Sequence, residues 1–273
     1  MQRKSTQALI WWGLGCHDGS MTVVRPHWPL AAMLAACALP LGPAPGHSAV
    51  GCSTDAMLVF DGSASMAELS FDLQRKTRIV DARAAVRDAM PDITQFRRVG
   101  LLTYGPGSQG ACDNIDLRFG PRDNASAAII ADIDGLAPKG LTPLAASVRA
   151  ASEALHYETQ PGIVVLVTDG NETCGGRPCA LGAALADTAA DLTVHVIGFK
   201  VVVDFFSWDN PEQQDVGAGN TVAKCLADRT GGLYVSTETV DELADALRVT
   251  LGCALIGGLG PETQNAPRTR EAL

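Results

Sequence analysis

Apolar residues follow two rhythms along this chain. Short, nearly continuous runs at residues 56–60 (AMLVF), 99–104 (VGLLTY), 163–168 (IVVLVT) and 192–199 (LTVHVIGF) predict buried strands. Residues 114–119 alternate polar and apolar, as a half-exposed edge strand would, and residues 232–235 predict a further short strand. Helical spacing recurs at 79–90, 124–133, 144–156, 180–190, 221–229 and 240–251, with Pro91 expected to stop the first of these helices. Strands alternating with helices imply an α/β fold: a doubly wound, mostly parallel six-stranded sheet covered by helices on both faces. In such folds ligands bind beyond the carboxyl ends of the strands. Two of the apolar runs end there in an aspartate, Asp61 and Asp169.

The first fifty residues read differently. Residues 1–20 have no periodicity, and Met21 offers a second start, at which translation is expected to begin; a long leader from Met1 is the alternative. Arg25 and His27 form a weakly basic front, residues 28–42 are apolar, and small residues and prolines run to Ser48–Ala49. The apolar stretch is shorter than the ~20 residues of a spanning helix and has the layout of an export signal. Residues 1–48 are therefore expected to be dispensable, 49–256 to form the domain and 257–273 to be a flexible tail. Leu34-Ala35-Ala36-Cys37 resembles a bacterial lipobox. Lipidation at Cys37 would tether the domain to a membrane, whereas cleavage near residues 46–49 would release it; the sequence leaves both open.

Charge narrows the function. The 273-residue chain carries 21 Lys+Arg and 30 Asp+Glu, a net charge of −9. Residues 1–48 hold Arg3, Lys4 and Arg25 against Asp18, so the remainder has 18 positive and 29 negative residues, a net −11. That balance speaks against nucleic acid as a partner, because phosphate binding needs a basic face.

The chemistry lies at the strand ends. Asp61-Gly62-Ser63-Ala64-Ser65 follows the first strand as a D-x-S-x-S sequence. Gly140-Leu141-Thr142-Pro143-Leu144, Val167-Thr168-Asp169-Gly170 and Thr230-Gly231-Gly232-Leu233-Tyr234 follow in order. Together these segments resemble the von Willebrand factor type A domain with its metal-ion-dependent adhesion site, over roughly residues 52–253. The resemblance implies a Rossmann-like fold with one antiparallel edge strand. It implies direct metal contact by Ser63, Ser65 and Thr142, with Asp61 and Asp169 direct or water-bridged. The metal would be Mg2+, or Mn2+ or Ca2+, since hard cations take oxygen ligands. An open coordination position would accept an Asp or Glu from a partner protein. Taken singly, each residue also has an ordinary role: Ser63 or Ser65 as a helix cap, Thr142-Pro143 as a helix start, Asp169-Gly170 as a turn.

An enzyme finds less support. There is no G-x-S-x-G, H-E-x-x-H, Walker loop or G-x-G-x-x-G after a strand. A phosphoaspartate hydrolase would want an acid where Ser63 stands. After the leader only His156 and His195 remain, and His195 sits inside a strand, so an activated serine lacks its base.

Six cysteines follow residue 48: Cys52, Cys112, Cys174, Cys179, Cys225 and Cys253. An even count in an exported chain points to disulfides. The family geometry implies that the termini meet, and a Cys52–Cys253 bond would then close a loop worth roughly 4–5 kcal/mol in the chain-entropy account. A local Cys174–Cys179 bond would leave Cys112 with Cys225. Cys112–Cys174 with Cys179–Cys225 is the alternative, and both stay open. The stretches around Cys112, Cys174 and Cys225 are similar to those of bacterial exported members of the family.

Residues 200–220 are long for a strand-to-helix connection and contain Phe205, Phe206 and Trp208. They are read either as a partner-binding rim on the metal side or as an extension of the preceding strand. The sequence is thus read as an exported, divalent-cation-dependent protein-binding domain, periplasmic, surface-exposed or secreted. Its alternatives are a structural or assembly protein of the envelope whose metal only stabilises the fold and, last, a metal-assisted hydrolase.

Overall fold

A computed structural model describes residues 53–69, 76–108, 110–201, 212 and 221–253. The expected signal, Cys37, Cys52, Phe205, Phe206, Trp208 and the tail lie outside these residues. Six strands form one sheet: β1 (Asp55–Asp61), β2 (Val99–Tyr104), β3 (Ile115–Arg122), β4 (Pro161–Thr168), β5 (Asp191–Phe199) and β6 (Tyr234–Thr237). Their order is β3-β2-β1-β4-β5-β6, all parallel except β3, which runs antiparallel to β2 at the edge. The described helices are α1 (Arg78–Thr94), α2 (Ser126–Asp134), α3 (Leu144–Ala154), α4 (Pro178–Thr188), α5 (Lys224–Thr230) and α6 (Val240–Leu251).

The apolar runs are explained by burial on two faces. In β1, Ala56, Leu58 and Phe60 join a core with α1, α2 and α6, while Met57 and Val59 join a second core with α3, α4 and α5. Every residue from Ala56 to Asp61 is buried, so alternation disappears there. The edge strand β3 has only one covered face and keeps its alternation, and it also accommodates Pro121, whose missing N–H is harmless at an edge.

One expected boundary moves. Helix α1 continues through Pro91 to Thr94. Met90 and Ile93 are both buried in the core on the far side of the proline, which itself faces solvent. Packing of that last turn outweighs the one hydrogen bond that Pro91 cannot make.

The two ends of the domain meet at a buried arginine. Arg97, 4% exposed, donates from Nη1 to Thr54 O at 2.6 Å, from Nε to Leu251 O at 2.5 Å and from Nη2 to Gly252 O at 3.1 Å. It joins the chain entering β1 to the chain leaving α6. Burial pulls its affinity for the proton below the usual guanidinium range. Cys253, the next residue, is disulfide-bonded, and Cys52, the partner expected for it, lies outside the described residues.

Removing this clasp leaves three carbonyls without their charged donor. Arg97→Ala is expected to lower unfolding free energy by about 2–4 kcal/mol in urea melts. A loss below about 1 kcal/mol would contradict the clasp.

Candidate metal centre

Strand β1 is the switch point of the sheet: β2 pairs on one side and β4 on the other. The chain leaves β1 for β2 on one side and returns from β3 through α2 and α3 to β4 on the other, a reversal that opens a crevice beyond the carboxyl ends of β1 and β4. Three loops close over that crevice through backbone contacts. Gly62 N donates to Tyr104 O at 2.8 Å, Gly140 N to Gly105 O at 2.6 Å and Ala64 N to Gly140 O at 3.0 Å. Two glycines make this approach feasible. Gly105 has φ +93°, and a Cβ on Gly140 would lie 2.4 Å from Gly105 O. The D-x-S-x-S loop and the loop bearing Thr142 are thereby locked side by side.

Asp61, Ser63, Ser65 and Asp169 are linked by hydrogen bonds, Asp61 through the backbone of Ser63 and the other three through their side chains. Asp61, fully buried, accepts Ser63 N on Oδ1 at 2.7 Å and Thr168 Oγ1 on Oδ2 at 2.7 Å. Ser63 Oγ and Ser65 Oγ are 3.0 Å apart, and Ser65 Oγ donates to Asp169 Oδ1 at 2.7 Å. Asp169 Oδ2 meets Arg78 Nη1 at 3.0 Å. Thr142 is buried on the neighbouring loop. Its N–H donates to Thr173 Oγ1 at 2.8 Å and its carbonyl accepts Thr173 N at 3.1 Å, so the segment after β4 fixes it.

The ordinary roles of these residues are not the ones the fold uses. Ser63 precedes a 3₁₀ turn (Ala64–Ala67) and makes no side-chain cap bond to it. Pro143 occupies the N-cap of α3, and the buried Glu172 supplies the acceptor instead, taking Ala145 N on Oε2 at 2.9 Å and Cys174 N on Oε1 at 2.8 Å. The hydroxyls are therefore not spent on capping.

The donor set suits a hard divalent cation. Adjacent oxygens around an octahedral ion with ~2.1 Å bonds are about 3.0 Å apart. The Ser63–Ser65 and Ser65–Asp169 separations of 3.0 and 2.7 Å are close to that spacing. Among the described residues no group of three His, Cys, Asp or Glu side chains is placed to hold a metal. A centre at these loops is therefore hydroxyl-rich.

Sequence reasoning passed over three members of this neighbourhood. Arg78 lies 13 residues from Ser65 and 91 from Asp169, and no local motif announces it. Thr168 falls within the Val167-Thr168-Asp169-Gly170 segment and Glu172 within the stretch around Cys174, but neither is assigned a role by the sequence. His195, inside β5, accepts Leu233 N on Nδ1 at 3.0 Å.

The cysteines do not pair locally. Cys112 bonds Cys174 and Cys179 bonds Cys225, with Cα separations of 5.6 and 4.8 Å. The Cys174–Cys179 and Cys112–Cys225 pairing is thus corrected. Leu141 N–Ala111 O and Thr173 N–Thr142 O bonds bring Cys174 beside the β2–β3 loop. Cys179 instead lies in the first turn of α4, which packs on α5. Glu212, within the long connection after β5, accepts Cys179 N at 2.7 Å and Ala180 N at 3.1 Å. Strand β5 ends at Phe199, and Lys200 follows it at φ +50°.

Electrostatics at the centre are set by burial. Burial, and then the charge of Asp61, raise the Asp169 carboxyl from 3.8 to about 7, against the pull of Ser65 and Arg78. The Tyr104 phenol is likewise pushed up, first by burial and then by Asp61.

Comparison with known proteins places this geometry. Residues 56–172 match the family model of the von Willebrand factor type A domain. The uncharacterized protein YwmD of Bacillus subtilis is 28% identical over 201 residues, covering 71% of this chain and 83% of that protein. The pilus adhesin SpaC of Lactobacillus rhamnosus GG superposes with a TM-score of 0.54 at 16% identity, over 73% of this chain and 30% of the adhesin. Proximal thread matrix protein 1 from the mussel byssus, solved with a zinc-occupied MIDAS motif, superposes at 0.50 and 18% identity, over 74% of this chain and 46% of that one. This chain thus spans less than half the length of either solved structure.

A raised carboxyl has a signed consequence for stability. Without metal, the folded protein keeps the Asp169 proton up to about pH 7, while the unfolded chain releases it near 3.8. Stability present below pH 3.8 is therefore lost as pH rises toward 7. In EDTA, the melting temperature of Asp169→Asn is expected to gain on wild type as pH climbs from 4 to 7. Parallel curves would contradict this.

Proposed function

We propose that this chain, which carries a von Willebrand factor type A domain, is an exported protein-binding module that captures an acidic residue of a partner through a divalent cation. The observation that carries the reading is the convergence of Ser63 Oγ, Ser65 Oγ and Asp169 Oδ1 at metal-like spacing beyond β1 and β4. Ser63, Ser65 and Thr142 would hold the ion directly, with Asp61 and Asp169 direct or through water. Mg2+ is the first choice, with Mn2+ or Ca2+ next. When bound, the cation supplies an electrophilic position that an incoming carboxylate can occupy.

The chain's own residues define the rest. Asp61 orients Ser63 by accepting its N–H and is itself fixed by Thr168. Neutral hydroxyls leave the ion less neutralised than a carboxylate cage would, which favours an external anion. The Cys112–Cys174 bond ties the β2–β3 loop to the loop after β4 and so limits movement where a partner would dock.

Two observations favour adhesion over catalysis. Ser63 and Ser65 bond to one another and to Asp169, and His195 is engaged within the sheet by Leu233 N, so neither serine has the histidine base of the usual nucleophile. SpaC is a pilus adhesin, and its resemblance agrees with a binding role. Export to the periplasm, the surface or the medium agrees with the Cys112–Cys174 and Cys179–Cys225 disulfides. Lipid anchoring at Cys37 is the membrane attachment we consider. A purely structural metal is disfavoured, because hydrogen bonds already satisfy both carboxylates.

Calorimetric titration of Mg2+ tests the centre. Wild type is expected to bind one ion, and Ser65→Ala to bind it about 10–100-fold more weakly. No heat in wild type would overturn the reading. Capture of a partner from the native envelope should need Mg2+ and fail in EDTA; capture that survives EDTA would remove the metal from the contact.

A further inference from the structure

A positive charge is buried at the heart of the proposed centre. Arg78, the first residue of α1, is 3% exposed. Its Nη1 donates to Asp169 Oδ2 and to Ser65 O, both at 3.0 Å, and reaches Glu68 Oε2 at 3.2 Å. The Asp169 side chain is wholly buried, and its other oxygen takes the Ser65 hydroxyl. One guanidinium therefore orients the carboxylate, supports the backbone of the D-x-S-x-S loop and balances charge.

The charge count has a consequence. Asp61 and Asp169 ionised contribute two negative charges, and the Arg78 guanidinium contributes one positive charge. The side chain of Glu68 is 67% exposed, and water and salt screen it. The buried set thus sums to minus one with both carboxylates ionised. A divalent cation alone turns it to plus one, and an uncompensated buried charge is costly. A single carboxylate from outside returns it to zero.

We propose that Arg78 is a resident counter-charge that makes cation and acidic ligand bind cooperatively, so that the centre holds neither well alone. The inference rests on the metal reading above and adds a mechanism for partner-dependent loading. Cooperativity of this kind is reciprocal: whatever factor the carboxylate adds to metal affinity, the metal adds to carboxylate affinity. A domain of this design would hold its cation more weakly until an acidic partner arrived.

The test measures Mn2+ binding to the full chain by electron paramagnetic resonance, with and without acetate at constant ionic strength. In wild type, acetate should lower the Kd for Mn2+ by about tenfold, within the usual roughly 5–150-fold range of coupling between sites. Arg78→Gln should bind Mn2+ more tightly without acetate, and its gain from acetate should shrink below about twofold. Arg78→Lys keeps the charge and should keep the gain; its loss there would assign the effect to the guanidinium's hydrogen bonds and overturn the proposal. Mn2+ binding to wild type that ignores acetate would overturn it too, and that arm decides even if Arg78→Gln does not fold. Absence of Mn2+ binding under both conditions would instead remove the metal centre itself, and this inference with it.

Discussion

Two buried carboxylates facing one crevice are the constraint on which the site depends. Asp61 and Asp169 sit at the ends of β1 and β4, each essentially without solvent. Ionised and unpaired, they would repel one another and lose their hydration. The surrounding sequence answers that difficulty group by group: Ser63 N and Thr168 for Asp61, Ser65 and Arg78 for Asp169. What remains is a centre short of positive charge by about one unit when both are ionised, lined by hydroxyls. The same arrangement that lets the pair fold makes a divalent cation a natural guest.

The fold was largely legible because burial is periodic. Strands β1, β2 and β4 lie under helices on both faces, and their uninterrupted apolar runs say so directly. The end of α1 was not legible: Pro91 is a local breaker, and the packing of Met90 and Ile93 that overrides it is a tertiary fact. Asp61, Ser63, Ser65 and Asp169 were legible because each sits within a short motif at a strand end. Arg78 was not, since its partners lie in other elements and nothing in its local sequence points to them. The disulfides were ambiguous for a similar reason. Spacing favoured a bond between neighbours, while the contacts among the loops carrying Ala111, Leu141 and Thr173 decided otherwise.

Rigidity is distributed around the crevice rather than within it. Arg97 clamps the two ends of the domain on the opposite side of the sheet from the strand termini that carry the site. Cys112–Cys174 binds two of the loops near the crevice, and Cys179–Cys225 pins α4 to α5. Glu172 and Glu212 close the starts of α3 and α4 with carboxylates borrowed from later loops. A preorganised rim reduces the ordering cost of capturing a partner. That suits a binding head more than a site that must rearrange during turnover.

The most direct measurement is anomalous diffraction from crystals soaked in Mn2+. The account predicts one strong peak bonded at about 2.1–2.2 Å to Ser63 Oγ and Ser65 Oγ, with Asp61 and Asp169 in contact or one water away. A peak elsewhere, or none at saturating Mn2+, would contradict it.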